Sequence, residues 1–192
     1  RLQVSFGARE LILIAEDTTA WGEDLFGKPS LPVLLNELVQ VAGVEWIRLM
    51  YIFPPRVNAD LIATIKANPK IIPYLDMPVQ HANTRLLEMM NRRYTGDFLR
   101  ELIRELTTEI PHLVLRTSLI LGFPSETEAD VQELLQFIED YPFAHLGCFA
   151  YSEERETRSA RIEPKIELDE IQRRITRVMD RQLELVVARN RS

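Results

Sequence analysis

The regular alternation of short apolar segments with amphipathic segments most constrains how this chain folds. Five apolar runs have the length and composition of buried strands, over residues 10–16, 46–53, 71–79, 113–121 and 146–150. Apolar side chains recur at helical spacing over residues 29–41, 58–67, 83–90, 95–109, 126–140 and 168–188. Because parallel strands are joined by helical crossovers, this order predicts a parallel sheet with helices outside it.

The number of strands narrows the architecture. Five strands are too few to close an eight-stranded barrel, so the order predicts either an open partial barrel or a doubly wound sheet. The long polar connection, residues 152–165, is interpreted as a boundary or a functional loop. With 192 residues, 46% of them hydrophobic, the chain is expected to form one domain, or a large part of one, with a sizeable core.

Composition excludes several function classes. The net charge of -6 argues against a broad basic surface for nucleic acid and leaves a local basic patch open. Cys148 is the only cysteine, which excludes a disulfide framework, cannot hold an iron–sulfur cluster and favours a cytoplasmic setting. The three histidines are widely spaced, and no apolar run is long enough for a membrane span. Since the chain begins with Arg1 and not with Met, we expect an internal fragment or a processed chain.

Polar and aromatic side chains collect where the predicted strands end, which is where parallel α/β folds place their sites. They are Asp17, Thr18, Thr19, Tyr51, Asp76, Gln80, His81, Ser118, Gly122, Phe123, Glu126, Tyr151 and Ser152. The sequence has no Walker loop, no G-x-S-x-G and no G-x-G-x-x-G. These residues therefore predict a binding rim without a pair of nucleophile and base.

Some residues in the strands and at their ends also have a structural interpretation. Arg116 lies inside an apolar strand and needs a partner, which is either Asp76 or Glu16, or the carboxylate of a ligand. Asp76 either caps the following turn or lines the site. His81 either caps the helix that begins near Asn83 or acts at the site.

Further positions are interpreted from their place in the pattern. Arg116 and Ser118 lie two residues apart on a strand and should point to the same side. Gly122 serves turn geometry, which also allows the backbone to approach a ligand closely. Cys148 is expected to be a small buried hydrophobe, and the charges of the last helix to form a solvated face.

Five segments, in order, carry a resemblance to a known family. They are E-L-I-L-I-A-E-D-T-T-A-W-G (Glu10–Gly22), R-L-M-Y-I-F-P (Arg48–Pro54), Y-L-D-M-P-V-Q-H (Tyr74–His81), L-R-T-S-L-I-L-G-F-P-S-E-T (Leu115–Thr127) and F-A-Y-S (Phe149–Ser152). Together they resemble the radical S-adenosylmethionine (SAM) methylthiotransferases. The D-T-T segment and the W-G pair that follows it, together with Asp76 and His81, resemble the RimO-type branch, which modifies an aspartate of a small-subunit ribosomal protein. The tRNA-adenosine branch typically has an N-x-N-type segment after the first strand and Q-S in place of Gln80-His81.

The resemblance implies a protein of three parts, of which residues 1–192 correspond to the radical-SAM core domain. This core would be an open partial (β/α)6 TIM-like barrel that lacks its first strand. The N-terminal cluster domain, the cysteine loop and the C-terminal RNA-binding-type domain would lie outside the chain. The implied cofactors are S-adenosyl-L-methionine and [4Fe–4S] clusters with ligands outside the chain, so no catalytic or metal-binding residue is expected within it. The implied partners are a small-subunit ribosomal protein as substrate and, through the C-terminal domain, the ribosome or RNA, with no membrane.

The resemblance also suggests roles for the rim. The expected cofactor-binding residues are Arg116, Ser118, Gly122, Phe123, Gln80 and Tyr151. The expected substrate-binding residues are Asp17, Thr18, Thr19, Tyr51, Asp76 and His81. In this interpretation Arg116 pairs with the cofactor carboxylate, Ser118 or Gln80 bonds its ribose or amino group, and the tyrosines bound the adenosine or substrate space.

Two departures and three alternatives remain. Ser125 stands where the family usually has the second glycine of G-F-P-G-E-T, and Glu156 stands where it usually has a glycine before the threonine. If residue 125 needs a positive φ, serine costs about 1 kcal/mol there. The alternatives are a tRNA-adenosine methylthiotransferase, a cluster-free barrel acting as a binding module, and an ordinary α/β metabolic enzyme.

Overall fold

The protein is a parallel α/β structure, seen in a computed structural model that describes residues 1–141 and 143–191. Its strands are β1 (Glu10–Leu13), β2 (Trp46–Leu49), β3 (Ile71–Asp76), β4 (Val114–Leu121) and β5 (His145–Ala150). They lie side by side in the order β1-β2-β3-β4-β5, and the ladders from β1 to β4 are parallel. The predicted fold class is confirmed. A sequential order without a reversal is that of a barrel-type sheet, because a doubly wound sheet reverses its strand order.

The helices follow the predicted alternation. They are α1 (Leu2–Ser5), α2 (Glu23–Phe26), α3 (Leu31–Val39), α4 (Ala59–Ala67), α5 (Thr84–Met89), α6 (Gly96–Glu109), α7 (Glu128–Asp140) and α8 (Leu168–Arg191). Short 3₁₀ turns occur at Thr18–Ala20, Pro54–Arg56 and Ser159–Arg161. The helices α1 and α2 were not predicted, because four residues are too few to show a helical period.

Side-chain caps explain where several helices begin. The Asn58 side chain accepts a hydrogen bond from Leu61 N (2.9 Å), and the Asn83 side chain accepts one from Leu86 N (3.1 Å). Thr127 and Asp130 form a reciprocal capping box at the start of α7. Ser30 occupies the N-cap position of α3, but its hydroxyl donates to the Lys28 carbonyl and does not cap the helix.

The chain divides into two compact units. The first unit is Arg1–Pro78 with Arg104–Arg116, and the second unit is Val79–Ile103 with Thr117–Ser192. The core of the first unit includes Leu35, Ile47, Leu49, Leu61 and Leu75, all buried. The core of the second unit includes Leu99, Leu119, Val131, Leu134 and Val178, all buried. Each unit therefore packs its helices against the apolar strand residues that belong to it.

Two expectations about buried positions need correction. Arg174 and Gln182 of α8 are buried, so the charged face of the last helix is not wholly solvated. Cys148 is half-buried and not fully enclosed, although burial still raises the pKa of its thiol to about 12. In the described part of the chain no helix is both long and apolar enough to cross a membrane.

Candidate functional site

The polar segment after β1 is folded into a tight turn in the first unit. Thr18 and Thr19 are buried in the 3₁₀ turn Thr18–Ala20, which begins after Asp17. The Thr19 hydroxyl donates to the Asp17 carboxylate and accepts from Phe53 N (3.3 Å), and Thr18 N donates to the Tyr51 carbonyl (3.1 Å). The turn after β1 is therefore tied to the segment after β2. The Thr18 hydroxyl is buried without a hydrogen-bond partner among the described residues.

The end of β3 carries a buried carboxylate that holds two neighbours in the same unit. Asp76 is fully buried, and its Oδ1 lies 3.2 Å from Arg116 Nη1. Its Oδ2 accepts from Tyr51 N at 3.5 Å. Of the two partners considered for Arg116 within the protein, the structure shows Asp76. The Arg116 side chain remains 39% exposed, and a guanidinium is well shaped to bind a carboxylate.

Tyr51 is held in a left-handed conformation with φ of 55° and a side chain that is 46% exposed. Such strain in a non-glycine residue persists only where the surroundings enforce it, and it is concentrated at functional sites. The bond from Thr18 N to its carbonyl and the bond from its own N–H to Asp76 provide that enforcement.

Arg56 is a rim residue that sequence reasoning missed. Its Nη2 lies 2.9 Å from the Glu23 carboxylate and its Nη1 lies 3.4 Å from the Asp17 carboxylate. It sits in the 3₁₀ turn Pro54–Arg56, directly after β2 and its apolar extension. The Pro-Pro-Arg sequence at a strand end was the signal that could have identified it.

In the second unit, Gln80 and Ser118 are brought together. Gln80 forms a parallel bridge with Leu119, in which its N–H donates to the Ser118 carbonyl (2.9 Å) and its carbonyl accepts from Ile120 N (2.8 Å). Gln80 has φ of 68°, a second strained position at a strand end. Both side chains are half-buried and lie beside the end of β4. Burial alternates along β4, which confirms that Arg116 and Ser118 share its less buried face.

The turn after β4 is shaped by packing in the second unit. Gly122 has φ of 80°, and a Cβ there would lie 2.4 Å from the side chain of Ile171. Phe123 is buried, and its ring meets the ring of Tyr151 edge to face at 5.2 Å. The Tyr151 hydroxyl is buried without a hydrogen-bond partner among the described residues. Gly122 therefore lies against Ile171 of α8, and the predicted approach of its backbone to a ligand stays a prediction.

Glu126 organises this turn, a role that the sequence reading did not assign. Its buried carboxylate accepts from Gly122 N (3.0 Å) and from Arg174 Nη1 (2.8 Å). Arg174 in turn donates to Glu170 on α8 (2.9 Å). Burial raises the pKa of Glu126, and the hydrogen bond from Arg174 opposes that shift.

His81 is fully buried in the second unit. Its Nδ1 accepts from Asn83 N (3.0 Å), so the proton of the neutral ring is on Nε2, which lies 3.9 Å from Glu126 Oε2. Burial lowers the pKa of His81 to about 4. The contact with Asn83 agrees with the structural interpretation of this histidine as part of the start of α5.

The two units divide the predicted rim between them. The first unit holds Asp17, Thr18, Thr19, Tyr51, Asp76 and Arg116. The second unit holds Gln80, His81, Ser118, Gly122, Phe123 and Tyr151. Among the residues described, no group of three or more His, Cys, Asp or Glu side chains is arranged to hold a metal ion. What each unit offers is hydrogen-bond donors, acceptors and aromatic surface for binding.

Both departures from the family pattern lie at left-handed positions. Ser125 has φ of 68° and Glu156 has φ of 69°. Residue 125 therefore has the positive φ at which serine is expected to be strained. Its N–H donates to the Pro164 carbonyl (2.9 Å) and its hydroxyl to the Glu163 carbonyl (2.8 Å), so the serine fastens the turn after β4 to the connection between β5 and α8.

Several curated proteins similar to this chain carry the same name. The chain is 45% identical over 191 residues to the ribosomal protein uS12 methylthiotransferase RimO of Geobacter sulfurreducens, covering 100% of this chain and 43% of that protein. It is 41% identical over 186 residues to the protein of the same name from Acetivibrio thermocellus, covering 97% of this chain and 41% of that protein. The chain thus spans less than half the length of these relatives.

Solved structures show the same fold at low sequence identity. Coproporphyrinogen III oxidase from Escherichia coli, described as a radical SAM enzyme, matches with a TM-score of 0.64 and 17% identity, covering 80% of this chain and 37% of that chain. A radical S-adenosylmethionine methyltransferase from Kitasatospora setae matches with a TM-score of 0.59 and 15% identity, covering 78% of this chain and 29% of that chain. The sequence profile of the Radical SAM superfamily matches residues 4–138, which is more than half of the chain. The chain belongs to the radical SAM superfamily.

Proposed function

We propose that this chain is the SAM-binding barrel of a methylthiotransferase that adds a methylthio group to an aspartate of small-subunit ribosomal protein uS12. The observation that carries the proposal is the 45% identity, over the whole chain, to a relative named for that activity. Residues 1–192 would form part of the radical-SAM core domain of a longer protein. The cluster ligands, the domain that supplies sulfur, and a C-terminal domain that contacts ribosome or RNA would lie elsewhere in that protein. The reaction would take place in the cytoplasm, where ribosomes are assembled.

The second unit offers groups that fit S-adenosylmethionine. When bound, the cofactor and a [4Fe–4S] cluster supply the radical chemistry and the methyl group. Ser118 and Gln80 are half-buried beside each other and would bond the ribose or the amino group. The buried Tyr151 hydroxyl lacks a partner within the described protein, and a polar cofactor atom would satisfy it. Gly122 and Phe123 would shape this wall by packing.

The first unit offers groups that fit a carboxylate and a protein substrate. The Arg116 side chain is partly exposed beside Asp76, and its guanidinium would pair with a ligand carboxylate. Tyr51 presents an exposed ring, and the Asp17–Thr19 turn would hold it in place for the substrate. In the second unit, His81 is wholly buried and would act on the substrate only by supporting the start of α5.

The test uses the full-length gene product that contains this chain. It would be purified without oxygen, loaded with iron and sulfide, and incubated with SAM, a reductant and either uS12 or tRNA. We expect mass spectrometry to find a methylthio group on an aspartate of uS12 and none on tRNA adenosine. Methylthioadenosine in the tRNA would replace this proposal by the tRNA-modifying function. Loaded protein that neither cleaves SAM nor modifies either substrate would favour a cluster-free binding module.

The buried hydroxyl of Tyr151 gives a finer test of the cofactor wall. Tyr151→Phe in the loaded enzyme should keep the edge-to-face contact with Phe123 and weaken SAM binding about fivefold, since a charge-free hydrogen bond contributes about 1 kcal/mol. Tyr141→Phe, another half-buried tyrosine of the second unit, is the matched control and should leave SAM binding unchanged. Equal SAM affinity in wild type and Tyr151→Phe would remove Tyr151 from the cofactor site.

A further inference from the structure

The segment from Trp21 to Ser30, here called the W21–S30 loop, follows the Asp17–Thr19 turn in the first unit and has exposed apolar side chains at its tip. Leu25 is 66% exposed and Phe26 is 54% exposed, and both lie on the one-turn helix α2. Large apolar side chains that are exposed next to each other are costly in water and mark surfaces that other molecules cover.

This loop is closed and packed against itself. Ser30 N donates to the Trp21 carbonyl (2.7 Å), so the two ends of the loop are hydrogen-bonded to each other. Gly22 and Gly27 flank α2 in left-handed conformations, with φ of 86° and 69°. The Trp21 and Phe26 rings pack at 6.0 Å, and a Cβ on Gly22 would lie only 3.0 Å from Phe26. Closed loops of this length with internal packing are frequently functional, and a rigid one loses little entropy on binding.

The loop is also fixed to the candidate site. Arg56 bridges Glu23 at the start of α2 and Asp17 at the end of the β1 segment, at 2.9 Å and 3.4 Å. The tip therefore stands at a defined place beside the Asp17–Thr19 turn, in the same unit. A side chain that binds at the tip would leave the rest of its polypeptide close to that turn.

The charge around the tip is negative. Glu16, Glu23 and Asp24 are exposed and Asp17 is half-buried. Arg56 pairs with two of these carboxylates, Glu23 and Asp17, and Lys28 is the cation of the loop itself. A partner that complements this surface combines apolar side chains with basic ones. Ribosomal proteins have this chemistry, because they bind the phosphates of RNA through Lys and Arg.

We propose that the W21–S30 loop is the docking element for the basic ribosomal-protein substrate. Leu25 and Phe26 would make the apolar contact, and the surrounding carboxylates would steer the basic chain toward it. This inference rests on the proposed function and adds the surface that selects the substrate.

The test measures uS12 binding to the full-length protein, with modification as a second readout. Leu25→Ala with Phe26→Ala should weaken uS12 binding about tenfold, which corresponds to about 1.4 kcal/mol. The KM for uS12 should rise with it, while the KM for SAM stays within twofold. Val33→Ala with Leu183→Ala is the matched control, since these side chains are 53% and 63% exposed on α3 and α8. The control should bind uS12 like wild type.

A charge variant keeps the test independent of the packing of Phe26. Asp24→Lys should slow association with uS12 severalfold at low salt, and the difference should shrink as salt rises, because screening removes steering. Circular dichroism melting should show that each variant is folded. If uS12 is modified and both loop variants bind it like wild type, the docking proposal is wrong and the proposed function stands. If wild type itself neither binds nor modifies uS12, the proposed function fails, and the docking proposal fails with it.

Discussion

At the scale of single residues, several non-glycine residues adopt left-handed backbone conformations that glycine adopts at a lower free-energy cost. Tyr51 and Gln80 take such conformations at strand ends that were predicted to bind ligands. Ser125 and Glu156 take them at two positions where the family usually has glycine. Ser125 gains two hydrogen bonds to the connection before α8, whereas Glu156 is exposed in that connection. The net free-energy cost of the left-handed conformation should therefore differ between Ser125 and Glu156.

Glu156→Gly should raise the free energy of unfolding by about 0.5–1 kcal/mol, because it removes left-handed strain and loses no buried contact. Ser125→Gly should change it less, since relief of the same strain is offset by loss of the hydroxyl bond to Glu163. Urea unfolding of both variants measures the difference. Equal stabilisation by the two glycines would show that the Ser125 hydroxyl contributes nothing.

At the scale of elements, two contacts join the turn after β4 to the helix α8 within the second unit. One is the steric contact of Gly122 with Ile171, and the other is the buried ion pair of Glu126 with Arg174. Since the same turn carries Phe123 against Tyr151, α8 sets the position of a candidate cofactor wall.

Gly122→Ala should destabilise the protein by about 2–4 kcal/mol, through overpacking against Ile171 and left-handed strain. Ile171→Ala should remove the overpacking but not the strain. A double-mutant cycle should therefore give a coupling energy of about 1–2 kcal/mol in favour of the double variant. Additive losses in denaturant unfolding would mean that the turn relaxes away from α8 without resistance.

Arg174→Met should cost about 3–5 kcal/mol of unfolding free energy, because it leaves the Glu126 carboxylate buried without its charge partner. Adding Glu126→Gln should recover part of this loss. Arg177→Met is the matched control one helical turn away. Its pair with Glu128 is at the surface and should contribute less than about 1 kcal/mol. Similar losses of unfolding free energy in the two arginine variants would contradict the assignment of Arg174 to a buried, stabilising ion pair.

At the scale of the whole molecule, acid stability should depend on one buried histidine. The pKa of His81 is about 4 in the folded protein and 6.5 as its ordinary value, so the unfolded chain binds an extra proton between those pH values. Stability should therefore be fully present above pH 6.5 and fall as pH drops toward 4, by on the order of 3 kcal/mol. His81→Asn keeps an acceptor for Asn83 N and should flatten this slope. A wild-type slope that persists in His81→Asn would assign it to other groups.

The sequence predicted most of the fold, whereas the ligand-binding rim stays a prediction. The alternation of five apolar runs with amphipathic segments was enough for the strand and helix order, because hydrophobic period reports local structure directly. It could not reveal that the Ser30 hydroxyl points away from the helix it precedes, or that Arg174 turns inward. Those outcomes depend on tertiary partners, the Lys28 carbonyl and the Glu126 carboxylate, which lie outside any local pattern. The role of Arg56 was hidden for the same reason.

The sequential strand order has a consequence for how the molecule forms. Every strand is hydrogen-bonded to the strand before it in the chain. Each sheet contact therefore closes a loop that contains no more than two α-helices, such as α5 and α6 between β3 and β4. Contacts of short sequence separation favour fast folding. They also allow the sheet to grow strand by strand as the polypeptide leaves the ribosome, from its amino-terminal side onward.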